Sequence, residues 1–209
     1  DSSSLAPTTH TIFAQGAYGP NYVVTHVSGV LTVGKAAATV TIADSEQTFD
    51  GSAKSVTITT DPAGLDSTVT YNGDTSLPID AGTYELQVDV SSDNYSGTAT
   101  GSLTIAPAAV TFTIGNLSQV YSGSTKEVTV VSDPEGVDGT VTYAGGSELP
   151  IGGGTYAVVV TPASGNYTGT ASADLVITKA TAVIAVSGNT QVADGTGKTV
   201  VATTPPAGL

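Results

Sequence analysis

The fold is decided by a stretch that occurs twice, first as residues 36–107: AAATVTIADSEQTFDGSAKSVTITTDPAGLDSTVTYNGDTSLPIDAGTYELQVDVSSDNYSGTATGSLTIAP. This stretch aligns without a gap with residues 108–179, at an offset of 72, and about half of the positions are identical. Matching segments include Thr68–Tyr71 with Thr140–Tyr143, and Gly82-Thr83-Tyr84 with Gly154-Thr155-Tyr156. Because a fixed period of this length marks repeated structural units, each copy is predicted to be one complete module.

The two ends of the chain resemble parts of the same module. Residues 180–209 continue the offset, since Gly195, Lys198, Pro206 and Gly208 fall on residues of the same type in the second copy. They are predicted to be the front part of a third module. Residues 1–35 end in a stretch that resembles the close of a module, from Asn21-Tyr22 to Leu31-Thr32-Val33, and are predicted to be the back half of a divergent one. The chain is therefore expected to be a fragment of a longer repetitive protein.

Alternating apolar and polar residues predict short strands throughout the module. In Tyr84–Val90, the apolar residues Tyr84, Leu86, Val88 and Val90 alternate with Glu85, Gln87 and Asp89, which is typical of a strand with one buried face. Further strands are predicted at Thr39–Ala43, Ser55–Thr60, Thr68–Tyr71 and Thr98–Ala106. Asp-Pro-x-Gly stretches at Asp61–Gly64 and Asp133–Gly136 predict chain reversals.

The predicted fold is all-β, with tandem small antiparallel β-sandwich modules of immunoglobulin-like type arranged as a rod. A tyrosine corner is expected at Tyr84 and Tyr156, where the hydroxyl bonds back to nearby backbone, although Asp80 of the first copy is Gly152 in the second. The chain has no Cys and no Trp, which excludes a true antibody-type domain. A β-grasp-like module is the alternative topology. It is less favoured because the sequence shows no helical period, and a β-grasp fold contains a helix.

Charge and hydropathy exclude two classes of partner. Five Lys, no Arg and 18 Asp plus Glu give a formal net charge of −13, which argues against nucleic acid and against anionic membrane surfaces. No apolar run is long enough for a spanning helix, so no membrane insertion is expected in this segment. The absence of Cys leaves an extracellular location open, because many bacterial surface proteins do without disulfides.

The sequence predicts no catalytic, cofactor-binding or metal-ligating residue. His10 and His26 are the only histidines and lie in no recognisable nucleophile or metal spacing. Loosely bound calcium stays possible because Asp residues are plentiful, yet no spaced Asp-x-Asp-x-Asp loop exists. Lys54 and Lys126 are candidates for isopeptide bonds, with solvent exposure as the competing interpretation. The repeated tyrosines could stack on sugars, but they occupy the apolar positions of alternating strands, which favours the core. The Thr runs suit either a ligand-binding face or the solvent-exposed face of a sheet.

Several of these segments together resemble the MBG and YDG-type repeats of large bacterial surface and secreted adhesins. The signatures are Phe49-Asp50-Gly51 with Lys54, Tyr121-Ser122-Gly123 with Lys126, the Pro-x-Gly stretches ending at Gly64 and Gly208, Gly-Thr-Tyr, and Asn-Tyr followed by a Thr-rich strand. Ala193 departs from the pattern by replacing the aromatic residue before Asp194-Gly195. The resemblance implies tandem extracellular modules with adhesion or stalk functions, and no transferable catalytic or ligand-contacting residue.

Three non-enzymatic functions follow as expectations. The first is a structural and interaction stalk of a bacterial adhesin or matrix protein, whose partners are the neighbouring modules of the same chain. The second is an adhesive module that binds a glycan or a host or matrix protein, although the loops at residues 72–76 and 144–148 differ between copies. The third is homo-assembly into a filament, in which the half modules of different chains complete each other by strand complementation.

Overall fold

The computed structural model describes residues 7–16 and 18–204, and within them the chain is all-β, as predicted. No helix in this described part is long and apolar enough to cross a membrane. Pro206 and Gly208, which the repeat offset matched to the second copy, lie outside the described residues, as do residues 1–6 and Ala17.

The chain divides into two compact units. Unit 1 contains Asp1–Ala108 together with the short segment Gly165–Tyr167, and unit 2 contains Ala109–Ser164 and Thr168–Leu209. The strands up to residue 106 are β1 (Thr9–Ile12), β2 (Gly29–Thr32), β3 (Ala36–Ala37), β4 (Thr39–Ala43), β5 (Glu46–Thr48), β6 (Thr57–Asp61), β7 (Ser67–Tyr71), β8 (Gly82–Val90), β9 (Tyr95–Ser96) and β10 (Thr98–Ala106). The later strands are β11 (Ala108–Ala109), β12 (Thr111–Gly115), β13 (Ser118–Val120), β14 (Thr129–Asp133), β15 (Gly139–Tyr143), β16 (Gly154–Pro162), β17 (Tyr167–Thr168), β18 (Ala171–Thr178), β19 (Ala185–Ser187) and β20 (Val201–Thr203).

The first repeat consists of a four-stranded sheet and a separate hairpin. The sheet has the order β5-β10-β8-β7, and β4 pairs with β6 in the hairpin. Strands β8 and β10 form the longest antiparallel ladder, from Thr98 opposite Asp89 to Ile105 opposite Gly82. The alternation in Tyr84–Val90 therefore places one set of side chains on the core face of the sheet, as the pattern predicted.

The second repeat has the same topology, with the sheet order β13-β18-β16-β15 and the hairpin β12–β14. The hairpin registers also agree, since Thr39 lies opposite Asp61 in the first repeat and Thr111 lies opposite Asp133 in the second. Two copies of the sequence thus form two copies of one structure. The glycines of the predicted Asp-Pro-x-Gly reversals, Gly64 and Gly136, adopt φ values of +82° and +87°, which glycine tolerates without strain.

Each repeat has its own apolar core. In unit 1, Leu86, Leu103 and Ile105 of the sheet are buried with Tyr71, and Ile42 of the hairpin packs against them. The buried apolar residues of unit 2 are Val110, Phe112, Val128, Tyr143, Val158, Val160, Leu175 and Ile177. Burial of one such side chain contributes roughly 1.5–3 kcal/mol, so these few residues carry most of the packing energy of a module.

One edge of each four-stranded sheet is parallel, a detail that the predicted antiparallel pattern did not include. Strand β5 runs parallel to β10, with Glu46 opposite Thr104, and β13 runs parallel to β18 in the same way. These strands have only three residues each, which is too short for an alternation pattern to reveal them. Parallel pairing is possible because the chain passes through several strands, from β6 to β8, before it returns to β10.

The start of the third copy has the local structure of the first two. Strands β19 and β20 form an antiparallel hairpin in which Ala185 lies opposite Thr203 and Val186 lies opposite Ala202. Subtracting the offset of 72 from these residue numbers gives the register of β12 with β14. Apolar side chains of this hairpin region are exposed, including Ile184 at 70%.

Candidate functional surface

The predicted tyrosine corners are confirmed in both repeats. The Tyr84 hydroxyl donates to the backbone oxygen of Asp80 at 2.9 Å, and the Tyr156 hydroxyl donates to that of Gly152 at 3.0 Å. Since the acceptor is a backbone carbonyl, the change from Asp80 to Gly152 leaves the hydrogen bond intact. These tyrosines therefore serve the fold rather than a ligand.

Two further tyrosines lie in the cores. Tyr71 and Tyr143 are each 5% exposed, and each hydroxyl accepts a backbone hydrogen bond, from Val56 and Val128 respectively. A buried ring cannot stack on a sugar, so the interpretation of these repeated tyrosines as core residues is confirmed. Tyr84, Tyr95, Tyr156 and Tyr167 are half-buried.

The repeated Lys54 and Lys126 lie in short polar loops. Lys54 Nζ lies 2.6 Å from Asp50 Oδ2, and its side chain is only 12% exposed. The hydrogen bond from Lys54, with that from the Ser52 backbone N–H, lowers the pKa of Asp50 from its ordinary value. In the second repeat Lys126 Nζ donates instead to the Ser122 hydroxyl at 2.8 Å. An isopeptide bond requires a carboxyl or carboxamide partner beside an additional buried acid. Lys54 instead forms an ion pair with Asp50, and Lys126 forms a hydrogen bond with Ser122.

In the third copy of this loop, Asp194 has the largest pKa shift among the carboxyl groups of the described residues. Asp194 pairs with Lys198 and also accepts hydrogen bonds from the hydroxyl and the backbone N–H of Thr196. The hydrogen bond from Lys198, followed by those from Thr196, lowers the pKa of Asp194 to about 2. With this low pKa the carboxylate is ionised near neutral pH and is not a proton donor there. We call the contacts of Asp194 with Lys198 and Thr196 the loop clamp.

The two histidines lie in the first 35 residues, outside the two complete repeats. His10 is in β1 opposite Leu31, and His26 follows the turn at Pro20-Asn21 in a segment without strand pairing. In residues 7–16 and 18–204, no three His, Asp or Glu side chains are grouped so that they could hold a metal ion. Asp44 instead accepts a hydrogen bond from the Thr57 hydroxyl.

The best candidate for ligand contact is a shallow groove on the outer face of the first sheet. We name it the sheet groove and define it by Thr70, Thr83, Glu85, Gln87, Thr100 and Ser102. Pairing between neighbouring strands sets these side chains in rows, since Gln87 of β8 lies opposite both Thr70 and Thr100, and Glu85 lies opposite Ser102. The rows offer hydroxyl, amide and carboxylate groups to solvent, which suits hydrogen bonding to a ligand rich in hydroxyls.

The same face of the second repeat has different chemistry. Val159 takes the place of Gln87, between Thr142 and Ser172, and Ala157 takes the place of Glu85. Two polar groups of the groove are therefore replaced by apolar ones. A ligand that needs the Gln87 amide and the Glu85 carboxylate would bind the first repeat and not the second.

A repeated glutamine had no signal in the strand pattern and was missed. The side-chain amide of Gln47 donates to the backbone oxygens of Asp44 and Ser55, both at 2.8 Å. Gln119 and Gln191 donate to the equivalent carbonyls of the later copies. Identity at positions 47, 119 and 191 could have indicated this role. In the first copy the glutamine links the turn after β4 to the loop segment before β6.

Unit 1 includes one polar cluster that sequence spacing could not predict. Asn166, of the segment Gly165–Tyr167, accepts a hydrogen bond from Ala81 N at 2.7 Å and donates through Nδ2 to Asp80 Oδ1 at 2.8 Å. The Tyr167 ring meets the Phe49 ring edge to face, with centroids 5.4 Å apart. More than 80 residues separate Asn166 from its partners in the chain.

Comparison with known proteins identifies the repeats. A family model described as MBG domain matches residues 38–109 and matches again at residues 110–181. The two matches cover more than half of the chain and begin two residues after the first residues of the two sequence copies. No curated protein matches the chain.

Proposed function

Because the chain belongs to the MBG domain family and carries two tandem copies of the domain, we propose that it is a non-enzymatic stalk segment of a bacterial surface adhesin or matrix protein. In this role the repeats hold a binding region away from the cell, and the location is extracellular. The observation that carries the proposal is repetition itself, since the second copy reproduces the topology and hairpin register of the first while the outer sheet face changes. Selection for a spacer requires the fold and leaves such a face free to vary.

A spacer test measures how far the chain projects a reporter. The full chain is inserted between a cell-surface anchor and a small binding domain, and capture of a bulky ligand is compared with that by a Gly/Ser linker of equal length. A stalk made of folded repeats is expected to give higher capture than the linker, because a flexible coil has its ends closer together on average. Equal or lower capture would overturn the stalk role.

Glycan or matrix binding is a second candidate, and the sheet groove favours it. The purified chain is tested on arrays of glycans, mucins and matrix proteins, with and without calcium. Saturable binding that is lost in Gln87→Val and kept in Val159→Gln would assign adhesion to the first repeat. The absence of saturable binding would overturn this candidate without affecting the spacer test.

Filament formation is a third candidate, favoured by the exposed apolar side chains Ile184, Val186 and Val200. Their counterparts in the second repeat are the buried or half-buried residues Phe112, Ile114 and Val128. In a filament, the β1–β2 hairpin of a second copy would cover them. Sedimentation velocity tests this directly, since growth of the particle with concentration supports assembly and a constant monomer mass excludes it.

A further inference from the structure

The tripeptide Asn-x-Ser/Thr, the acceptor motif for N-linked sugars, occurs three times in the chain. It is present as Asn94-Tyr95-Ser96, Asn116-Leu117-Ser118 and Asn166-Tyr167-Thr168. The first and third lie at equivalent positions of the two repeats. The motif alone is a weak signal, so the state of each side-chain amide decides whether a sugar could be attached.

Asn94 has the accessible amide. The residue is exposed and lies in the turn immediately before β9, and Ser96 of the motif is exposed as well. Its backbone is held, because its N–H donates to the Ser92 hydroxyl and its carbonyl accepts from Ala36 N at 2.9 Å. Its side-chain amide makes no hydrogen bond within the described part of the chain.

The other two amides are engaged. Asn166 Nδ2 donates to the Asp80 carboxylate, while its Oδ1 accepts from Ala81 N. Asn116 Nδ2 donates to the Glu127 backbone oxygen at 3.0 Å, and its backbone adopts a left-handed φ of +58°. A transferase would have to break these contacts before either nitrogen could react, and a hydrogen bond to a charged group is the more costly of the two.

We propose that Asn94 is an acceptor for a nucleotide-activated hexose, transferred by a glycosyltransferase that recognises Asn-x-Ser/Thr. The Asn94 amide nitrogen attacks the anomeric carbon of the sugar, and the bond from that carbon to the diphosphate oxygen breaks. The nucleoside diphosphate leaves with the bonding electron pair, and one amide proton passes to a base of the transferase. This site goes beyond the stalk role and does not depend on it.

The test uses the folded full chain with a purified N-glycosyltransferase of this specificity and uridine diphosphate glucose. Peptide mass spectrometry is expected to find one hexose on Asn94. Occupancy at Asn166 is expected to be about tenfold lower, because its hydrogen bond to a carboxylate must open first. Ser96→Ala should abolish the modification at Asn94, and the matched variant Thr168→Ala should leave it unchanged.

A second variant tests the reason for the difference between the copies. Asp80→Ala removes the acceptor of Asn166 Nδ2 and is expected to raise occupancy at Asn166 without changing Asn94. An unmodified Asn94 in the folded chain would overturn the proposal, whether or not the urea-unfolded chain accepts sugar. Equal occupancy of Asn94 and Asn166 in the folded chain would overturn the assignment of selectivity to the amide contacts.

Discussion

Tyr84 and Tyr156 explain why a residue can change between copies without loss of structure. Both hydroxyl groups donate to the backbone carbonyl four residues earlier, so the side chain at that position, Asp80 or Gly152, takes no part in the bond. The side chain of Asp80 is then available for another contact, and within unit 1 it accepts from Asn166. One position therefore has a structural role through its backbone and a separate role through its side chain.

Asp194 allows a test of the loop clamp by pH. Its pKa of about 2 in the folded chain lies below the ordinary value of 3.8, because Lys198 and Thr196 hydrogen-bond to the carboxylate. The clamp therefore contributes fully above pH 3.8 and is lost as the pH falls through about 2. Carbon NMR of the carboxyl group is expected to show a titration midpoint near 2.

Lys198→Ala is the matched control for this titration. Removing the largest cause of the shift should move the midpoint of Asp194 upward toward 3.8. A midpoint at 3.8 in the unmodified chain would contradict the clamp. Asp50 should also titrate below its ordinary value, since Lys54 and Ser52 hydrogen-bond to it in the same way.

At the scale of elements, the turn that follows β7 differs in sequence from the equivalent turn that follows β15. Asn72 and Gly73 adopt φ values of +51° and +84°, and in the second repeat Ala144 and Gly145 adopt +48° and +83°. Asn tolerates this left-handed backbone better than Ala. Asn72 also accepts a hydrogen bond through Oδ1 from Glu85 N at 2.8 Å. The first repeat therefore has the better turn residue.

Exchanging these residues should change stability in opposite directions. Ala144→Asn is expected to raise the free energy of unfolding of unit 2 by about 1 kcal/mol, because it relieves the left-handed strain. Asn72→Ala should lower that of unit 1 by about 1 kcal/mol, since it also removes a hydrogen bond. Urea denaturation monitored by tyrosine fluorescence measures both effects. A stabilising Asn72→Ala or a destabilising Ala144→Asn would contradict this account of the turn.

The sequence predicted the longer strands well and the shorter ones poorly. The bounds of β4 and β10 agree with the predicted Thr39–Ala43 and Thr98–Ala106. Alternation over five residues in β4 and nine in β10 is long enough to define the buried face of each strand. Strands β3 and β9 have two residues each and pair in parallel, and their hydrogen bonds depend on partners almost 60 residues away. No local pattern encodes such a pairing.

The candidate surface was less predictable than the fold. The sequence identified the Thr-rich strands but could not decide which threonines share a face with Gln87, since this depends on the register of three strands. The contact of Asn166 with Asp80 was equally hidden, because it requires the tertiary fold. The tyrosine corner was predictable because the bond spans only four residues.

At the scale of the whole molecule, stability rests on small separate cores with matching residues. Leu103 in unit 1 and Leu175 in unit 2 are both 0% exposed and lie at equivalent positions. Leu103→Ala is expected to lower the free energy of unfolding of unit 1 by about 2–5 kcal/mol through lost burial and a residual cavity. Hydrogen exchange should show faster exchange of the β8 and β10 amides.

Leu175→Ala is the matched variant and should have the same effect on the β16 and β18 amides of unit 2. Unchanged protection in either variant would contradict the assignment of these leucines to the cores. Ser102→Ala, at an exposed neighbouring position on the outer face, is expected to leave amide protection as it was.

The placement of the lysines affects how the chain survives digestion. A protease that cuts only after Lys or Arg has five target residues in 209, since the chain has no Arg. Lys54 is largely buried beside Asp50 and Lys126 is half-buried, whereas Lys35 and Lys179 are exposed and flank the two complete repeats. Brief trypsin treatment should therefore trim the ends and release residues 36–179 as one resistant fragment. The repeated part of the chain therefore offers a protease of this specificity few accessible bonds.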